Sequence, residues 1–155
     1  MAATSTNKQP LLVDHVLHVV RNTDQSINNG LDIIGTNTAT LLVDSTAADG
    51  AIIEDVYTIA RGTTGYIVNL YLSTARDYLR PNEAYYIGAV PSDTNIGGVL
   101  RWIDMPKTLT PVPQVGTEPY NRALYVPKGY ALWAARDSAL NVTDAPLIGV
   151  QGGWF

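Results

Sequence analysis

Short apolar runs separated by turn-forming residues are the feature of this sequence that most constrains its fold. From Thr38 onward about eight such runs follow one another, and glycine, proline or Asp-Gly interrupts them about every 8–12 residues. Each run has the length of a β-strand, and no helix is predicted after residue 40. The spacing predicts an all-β fold, an antiparallel β-sandwich, and we favour the jelly-roll type.

The segment 66–73 has the clearest strand pattern. Its alternate positions are apolar, namely Tyr66, Val68, Leu70 and Leu72, whereas Asn69 and Ser73 belong to the other face. Successive side chains of a strand point to opposite faces of the sheet. The pattern therefore predicts one face buried in the core.

The C-terminal region predicts the last strands of the fold. Two apolar runs flank Pro127-Lys128-Gly129, which favours a hairpin because proline fixes φ and glycine accepts a positive φ. The final run ends on Trp154 and Phe155. An apolar terminus is expected to pack in its own sheet or against a partner.

Three other segments are predicted to connect strands. Residues 44–50 and 62–65 lack the spacing of phosphate or calcium loops and are predicted as hairpin turns. Residues 106–119 contain four prolines and are predicted as a long Greek-key crossover between two sheets.

The N-terminal region differs in composition from the rest. Residues 1–37 are rich in Asn, Thr, Ser and Gln, with apolar islands at 11–20 and 31–34. The first island fits one face of a short helix, and its valines also fit a strand, so both structures stay open. We predict an extended N-terminal arm over residues 1–37 and one jelly-roll domain over residues 38–155.

The low content of charged residues makes some classes of function less favourable than others. Only 15% of residues are charged, against about 25% in an average domain, and the net charge is −4. No cluster of lysine and arginine is present, which argues against nucleic-acid binding. Such a surface is typical of a protein covered by neighbours, and also of a secreted β-domain.

The sequence contains no recognisable catalytic or metal-binding set. His15 and His18 are the only histidines, so a third nitrogen ligand is missing, and there is no Gly-x-Ser-x-Gly motif. Glu54 and Asp55 are adjacent on a predicted strand and face opposite sides. We predict no enzyme activity, no catalytic residue, no cofactor and no metal.

No segment of the sequence predicts membrane insertion or export. The apolar runs are shorter than the about 18 residues of a membrane span. The N-terminus lacks the basic-then-apolar layout of a signal peptide, so export through a cleaved leader is not expected.

The aromatic residues of the chain are compatible with two functions. A sugar-stacking platform and a protein interface both employ them, and interfaces are also depleted in charge. The low charge of the chain favours an interface. The tyrosines considered for sugar stacking are Tyr71, Tyr78, Tyr85, Tyr86, Tyr120 and Tyr125.

Four segments, in their order along the chain, resemble a group of small tailed-bacteriophage virion proteins. They are Asp49-Gly50 followed by Ile52-Ile53-Glu54, the run Gly65–Leu72, the run Leu124–Ala134, and the closing Gly152-Gly153-Trp154-Phe155. The resemblance covers residues 40–155 and no part of the predicted arm. It implies a jelly-roll body and a capsid cement or decoration protein that stabilises contacts between major capsid subunits.

The resemblance also implies partners and a location. The partners are the major capsid protein and further copies of the chain in a homotrimer, on the head surface of a virion after synthesis in the host cytoplasm. The alternative is a carbohydrate-binding jelly-roll module of a phage tail or receptor-binding part. The predicted interface residues are Leu11, Leu12, Val16, Val19 and Val20 on the arm, with Trp154 and Phe155 as a second set.

Overall fold

The protein folds into β-strands, as the sequence predicts. A computed structural model describes residues 15–23, 39–45, 47–76, 79, 83–103, 105, 123–137 and 142–154. Apart from 3-10 geometry at Glu83 and over Val142–Asp144, the regular elements of the described residues are all strands. The strands are β1 (His15–Asn22), β2 (Thr40–Asp44), β3 (Gly50–Ile59), β4 (Ile67–Ser73), β5 (Tyr85–Pro91), β6 (Val99–Arg101), β7 (Leu124–Pro127), β8 (Ala131–Arg136) and β9 (Leu147–Trp154).

These strands form two antiparallel sheets that pack face to face. Sheet A has the order β1-β9-β3, and both β6 and β7 pair with the far edge of β3. Sheet B has the order β2-β8-β4-β5. The predicted antiparallel β-sandwich is therefore confirmed.

The strand pairs are nested along the chain. β1 pairs with β9 and β3 with β7 in sheet A, whereas β2 pairs with β8 and β4 with β5 in sheet B. The chain thus resembles one long antiparallel ribbon folded across two layers. β6 adds a further short strand beside β3.

The main core lies between the sheets and is built by alternate residues of the strands. Val68 and Leu70 of β4 are fully buried there, and Leu72 is partly buried against the same cluster. This confirms the buried face that the period-two pattern predicts. At one end of the core the buried guanidinium of Arg136 lies 5.3 Å from the ring centroid of Tyr66, a cation–π geometry.

The outer face of sheet B is covered by the protein's own chain. Tyr71 and Trp133 are directly opposed on β4 and β8, and they pack in a second apolar cluster that includes Leu79. The Trp133 indole N–H donates a 3.1 Å hydrogen bond to the carbonyl of Ala75. The coil after β4 is therefore attached to this face, which explains why Ser73 is also buried.

The turn at Pro127-Lys128-Gly129 is tight but is not a hairpin. The Tyr130 amide donates a 3.0 Å hydrogen bond to the Pro127 carbonyl, and Gly129 has a φ of 85°. However, β7 belongs to sheet A and β8 to sheet B. The turns at 44–50 and 62–65 also pass between sheets, so these hairpin predictions are wrong. Turn chemistry predicts a chain reversal and not the strand's pairing partner.

The connection from β6 to β7 begins and ends in one sheet. Both strands pair with β3, β6 at residues 57–59 and β7 at residues 50–53. The predicted crossover between two sheets is therefore wrong. Residues 106–122, which form the connection, lie outside the described residues.

Part of the predicted N-terminal arm is a strand of the sandwich. Residues 15–22 pair with β9 along their whole length, with no register shift. Of the two structures that the sequence leaves open, the valine-rich island adopts the strand. Residues 1–14 and 24–38 lie outside the described residues.

Candidate protein interface

The outer face of sheet A carries a largely apolar set of side chains. Leu17 points into the core, so its neighbours on β1 point outward, and residues directly opposite across an antiparallel pair share a face. We call this outward set the platform. It comprises Val16, His18, Val20, Leu147, Gln151, Ile52, Asp55, Tyr57, Ile59, Val99, Arg101 and Tyr125.

Several apolar platform residues are open to solvent. Val16 is 84% exposed, Val99 is 50% exposed and Val20 is 43% exposed. A solvated outer face of an antiparallel sandwich normally alternates to polar residues. This face departs from that rule at both edges of the sheet, β1 and β6.

The Tyr57 hydroxyl and His18 Nε2 form a 2.9 Å hydrogen bond across the platform. The two rings are tilted, with centroids 6.5 Å apart. β9 lies between their strands, and at this level it carries Gly149, where a Cβ would overlap the Tyr57 ring. The glycine therefore allows the tyrosine to lie across β9 and reach β1.

The other charged groups of the platform form an ion pair. Arg101 of β6 donates a hydrogen bond to the carboxylate of Asp55 on β3. His18 is bonded to Tyr57 in the same way. Paired charges lower the cost of covering such a surface, because an unpaired buried charge is strongly destabilising.

Glu54, at the register shift of β3, is exposed next to Asp55. Both lie between the inward residues Ile53 and Val56, so the prediction that these two carboxylates face opposite sides is wrong.

A backbone contact shapes β9 beneath the platform. β3 has a register shift between Ile53 and Asp55, and there its main chain approaches β9 so closely that a Cβ on Gly152 would overlap the Ile52 carbonyl. Gly152 thus serves a close approach of two strands. The strand continues through it to Trp154.

The predicted interface residues fall on different sides of sheet A. Val16 and Val20 lie together on the platform, whereas Val19 and Trp154 pack against the core between the sheets. Leu11, Leu12 and Phe155 lie outside the described residues. An interface role for each of these residues stays a prediction.

Sequence reasoning missed most of the platform. Tyr57, Ile59, Val99 and Leu147 were not singled out, although they lie directly beside one another in adjacent strands. A signal was present in 51–59, where apolar residues occupy both alternating sets. A strand that is apolar on both faces needs a second covering surface.

The two histidines do not share a site. His15 and His18 are three positions apart on a strand, so their side chains point to opposite faces. Within the described ranges, no three His, Cys, Asp or Glu residues are grouped so as to hold a metal ion. The same ranges contain no helix long and apolar enough to span a membrane.

Carboxylates outside the platform are engaged in turns. A hydrogen bond from Lys128 Nζ, 2.8 Å long, and its charge lower the pKa of Asp49 and raise that of Lys128. At the turn before β6, hydrogen bonds from the Asn95 backbone and side-chain amides, with one from Thr94, lower the pKa of Asp93. Both carboxylates are therefore ionised at neutral pH.

The tyrosines do not form one row. Tyr71 and Tyr86 make an edge-on contact on sheet B, with ring centroids 5.7 Å apart, and Tyr85 and Tyr86 are each 61% exposed. Tyr125 belongs to the platform on sheet A. Tyr78 and Tyr120 lie outside the described residues.

The fold and the platform define a small all-β sandwich with one self-covered outer face and one apolar outer face. Comparisons of the chain with protein-family models, curated proteins and solved structures returned no match. What the protein does must therefore be inferred from its own residues.

Proposed function

We propose that this protein is a structural protein of a bacteriophage virion, a capsid cement or decoration protein. It binds the outside of the head and stabilises contacts between major capsid subunits. The observation that carries the proposal is the platform, a sheet face with exposed valines on which Arg101 is paired with Asp55 and His18 with Tyr57. Interfaces are enriched in aromatic residues, and this face carries Tyr57 and Tyr125.

The thermodynamics of capsid decoration suit such a surface. A protein that binds the assembled shell and not its free subunits stabilises the shell by mass action. Many copies on one head, or several joined in an oligomer, make modest single contacts sufficient. A surface of moderate apolar area, rather than a deep pocket, serves this role.

The jelly-roll type is part of the proposal. The nested pairing of β1 with β9, β2 with β8, β3 with β7 and β4 with β5 supports it, because a jelly roll is a two-sheet antiparallel fold built from two Greek keys. The homotrimer is proposed from the resemblance to the phage virion proteins. Terminal segments that reach neighbouring subunits belong to the same proposal.

Cosedimentation with purified expanded heads tests the function. We expect the wild-type protein to saturate the heads, and Val99→Glu on the platform to weaken binding at least tenfold. Ile67→Glu is the matched control, since Ile67 is 46% exposed but lies on β4 in sheet B. Equal loss in both variants, or no saturable binding of the wild type, contradicts the proposal.

The carbohydrate-binding alternative has one observation in its favour. Tyr86 is 61% exposed on edge strand β5 of sheet B, beside Tyr71, so its ring is open for stacking. A reproducible hit on a glycan array that Tyr86→Ala abolishes and Tyr125→Ala retains favours this function. We expect the array to show no hit.

A further inference from the structure

The sandwich has four sheet edges, and three of them are poor templates for another strand. The β6 and β7 edge is divided into strands of three and four residues. β2 has five residues and a register shift, and β5 has a register shift, a glycine with a φ of 148° and a terminal proline. Short strands, bulges and prolines are the features by which proteins protect sheet edges from pairing.

The fourth edge, β1, has none of these features. It has eight residues in unbroken register with β9, and it contains no proline, lysine or acidic residue. Among the strands that the structure describes, β9 is the one that pairs with it. A long and regular edge, whose charged residue Arg21 lies near one end and whose apolar residues lie at its centre, is a template for a strand of another chain.

One end of this edge is already occupied. The Thr40 hydroxyl of β2 donates a 3.3 Å hydrogen bond to the carbonyl of Asn22, and Thr23 is buried against Pro146. The remaining described edge runs from residue 15 to residue 21. Its midpoint is His18.

We propose that β1 of a second copy pairs antiparallel with this edge, about a two-fold axis at His18. Residues opposite each other in an antiparallel pair share a face, so outward residues must meet outward residues. Pairing 18 with 18 satisfies this rule and uses all seven positions of the edge. It also sets residue 17 opposite 19, residue 16 opposite 20 and residue 15 opposite 21.

The apolar side chains of β1 meet one another in this register. Val16 of each copy meets Val20 of the other on the platform side, and both are exposed in the single chain. On the core side, Leu17 meets Val19, which packs against the core but is still partly exposed. Apolar cross-strand pairs of this kind stabilise a sheet.

The pairing makes one sheet from two. Two five-stranded sheets A, joined at β1, form a ten-stranded sheet with both platforms on the same face. The contact is isologous, because the same patch is used by both copies. It differs from a three-fold contact, and it does not depend on binding to a capsid.

Disulfide crosslinking tests both the contact and its register, since the chain contains no cysteine. We expect His18→Cys to form a covalent dimer under mild oxidation, because directly opposed Cβ atoms lie within disulfide reach. Val16→Cys alone should stay uncrosslinked, since residues 16 of the two copies are about 13 Å apart along the strands. A mixture of Val16→Cys and Val20→Cys should crosslink.

Two results overturn the proposal. One is crosslinking of Val16→Cys alone at a rate equal to that of the mixture, which indicates random collision at an exposed position. The other is absence of crosslinking in both His18→Cys and the mixture while circular dichroism shows folded protein. Loss of head binding with intact crosslinking, by contrast, contradicts the proposed function and leaves this contact standing.

Sedimentation of the wild-type chain and of two lysine variants gives an independent measurement. We expect wild type to reach the mass of two copies, or of six copies where the proposed trimers also form, and Val20→Lys to lower the association constant of the two-fold contact at least tenfold. Val99→Lys, at the opposite edge of the same sheet, should associate as wild type does. A wild-type monomer at all concentrations, or loss of association in Val99→Lys alone, overturns the proposal.

Discussion

Tyr57 and His18 are joined by a 2.9 Å hydrogen bond although another strand lies between their own strands. The bond ties the edge strand β1 to the central strand β3 on the outer face of sheet A. It also gives the phenol and the imidazole a hydrogen-bond partner on a largely apolar surface. The contact depends on Gly149, over which the tyrosine ring lies.

Gly149→Ala should destabilise the protein by about 1–3 kcal/mol, the usual range for overpacking. The added methyl group overlaps the Tyr57 ring, which must rotate away and lose its bond to His18. Denaturant unfolding measures the effect. The same substitution in a Tyr57→Ala background should be nearly neutral. Gly65→Ala is the matched control, because its Cβ would lie 3.3 Å from the Thr94 methyl group, a contact that a small side-chain movement relieves. Equal costs of Gly149→Ala in the two backgrounds contradict this account.

Gly152→Ala should cost more, about 3 kcal/mol or above. Here the methyl group overlaps the carbonyl of Ile52, and main chain, unlike a side chain, has no alternative rotamer. The register between β3 and β9 must therefore shift. Thermal and denaturant unfolding compare the two alanine variants, and a smaller loss for Gly152→Ala than for Gly149→Ala contradicts the argument.

Trp133→Phe should loosen the coil after β4 and cost about 1–2 kcal/mol. The variant removes the indole N–H that bonds to the Ala75 carbonyl and part of the apolar cover over sheet B. Hydrogen exchange should increase at residues 74–79 and remain unchanged in β1 and β9. Faster exchange throughout the protein shows instead that the residue supports the whole fold.

Removing residues 1–23 should destabilise the body, whereas removing residues 1–14 should leave β1 in place. The longer deletion exposes the edge of β9 and removes Leu17, whose burial alone contributes about 1.5–3 kcal/mol. Unfolding free energies of the two truncations are the measurement. Equal stability of both shows that β1 contributes nothing to the sandwich.

The ion pair between Asp49 and Lys128 should be visible in a pH titration. The hydrogen bond and charge of Lys128 lower the pKa of Asp49 in the folded protein. The contribution of the Asp49 carboxylate to folding stability is therefore fully present above the unfolded-state pKa, and it is lost as the pH falls through the folded-state pKa. The pKa of Lys128 is raised in the folded protein, so the contribution of its ammonium group to folding stability is present at lower pH and is lost as the pH rises through the folded-state pKa of Lys128.

NMR titration of the Asp49 carboxyl in Lys128→Met measures this interaction. We expect its pKa to rise toward the ordinary value of 3.8. Asp93 is the internal control, because its pKa is lowered by hydrogen bonds from the uncharged Asn95 and Thr94. High salt should raise the Asp49 pKa and affect Asp93 less. A parallel shift of both carboxyls contradicts the assignment.

The sequence alone determined that the segments after residue 38 form strands, and it determined which face of the segment 66–73 is buried. In β4 the alternation of Val68 and Leu70 with Asn69 is local, because side-chain direction follows from backbone geometry within one strand. The turn at Pro127–Gly129 is local for the same reason. These elements were predicted to within one or two residues.

Tertiary structure alone decided which strands pair. β7 and β8 flank a tight turn yet lie in different sheets, and β1 pairs with β9 from the far end of the chain. Such pairings between distant strands are determined by how much apolar surface the whole sandwich buries. A local sequence pattern carries no information about that total.

The tertiary structure also determines which residues form the platform. Val16, Tyr57 and Val99 are distant in sequence, and they share a face only because β1, β3 and β6 belong to one sheet in one register. Nothing in the sequence around Gly149 distinguishes it from other glycines. It is required only because the Tyr57 ring lies across it in the folded protein. Local chemistry defined the strands of this protein, and long-range packing defined the surface that they present.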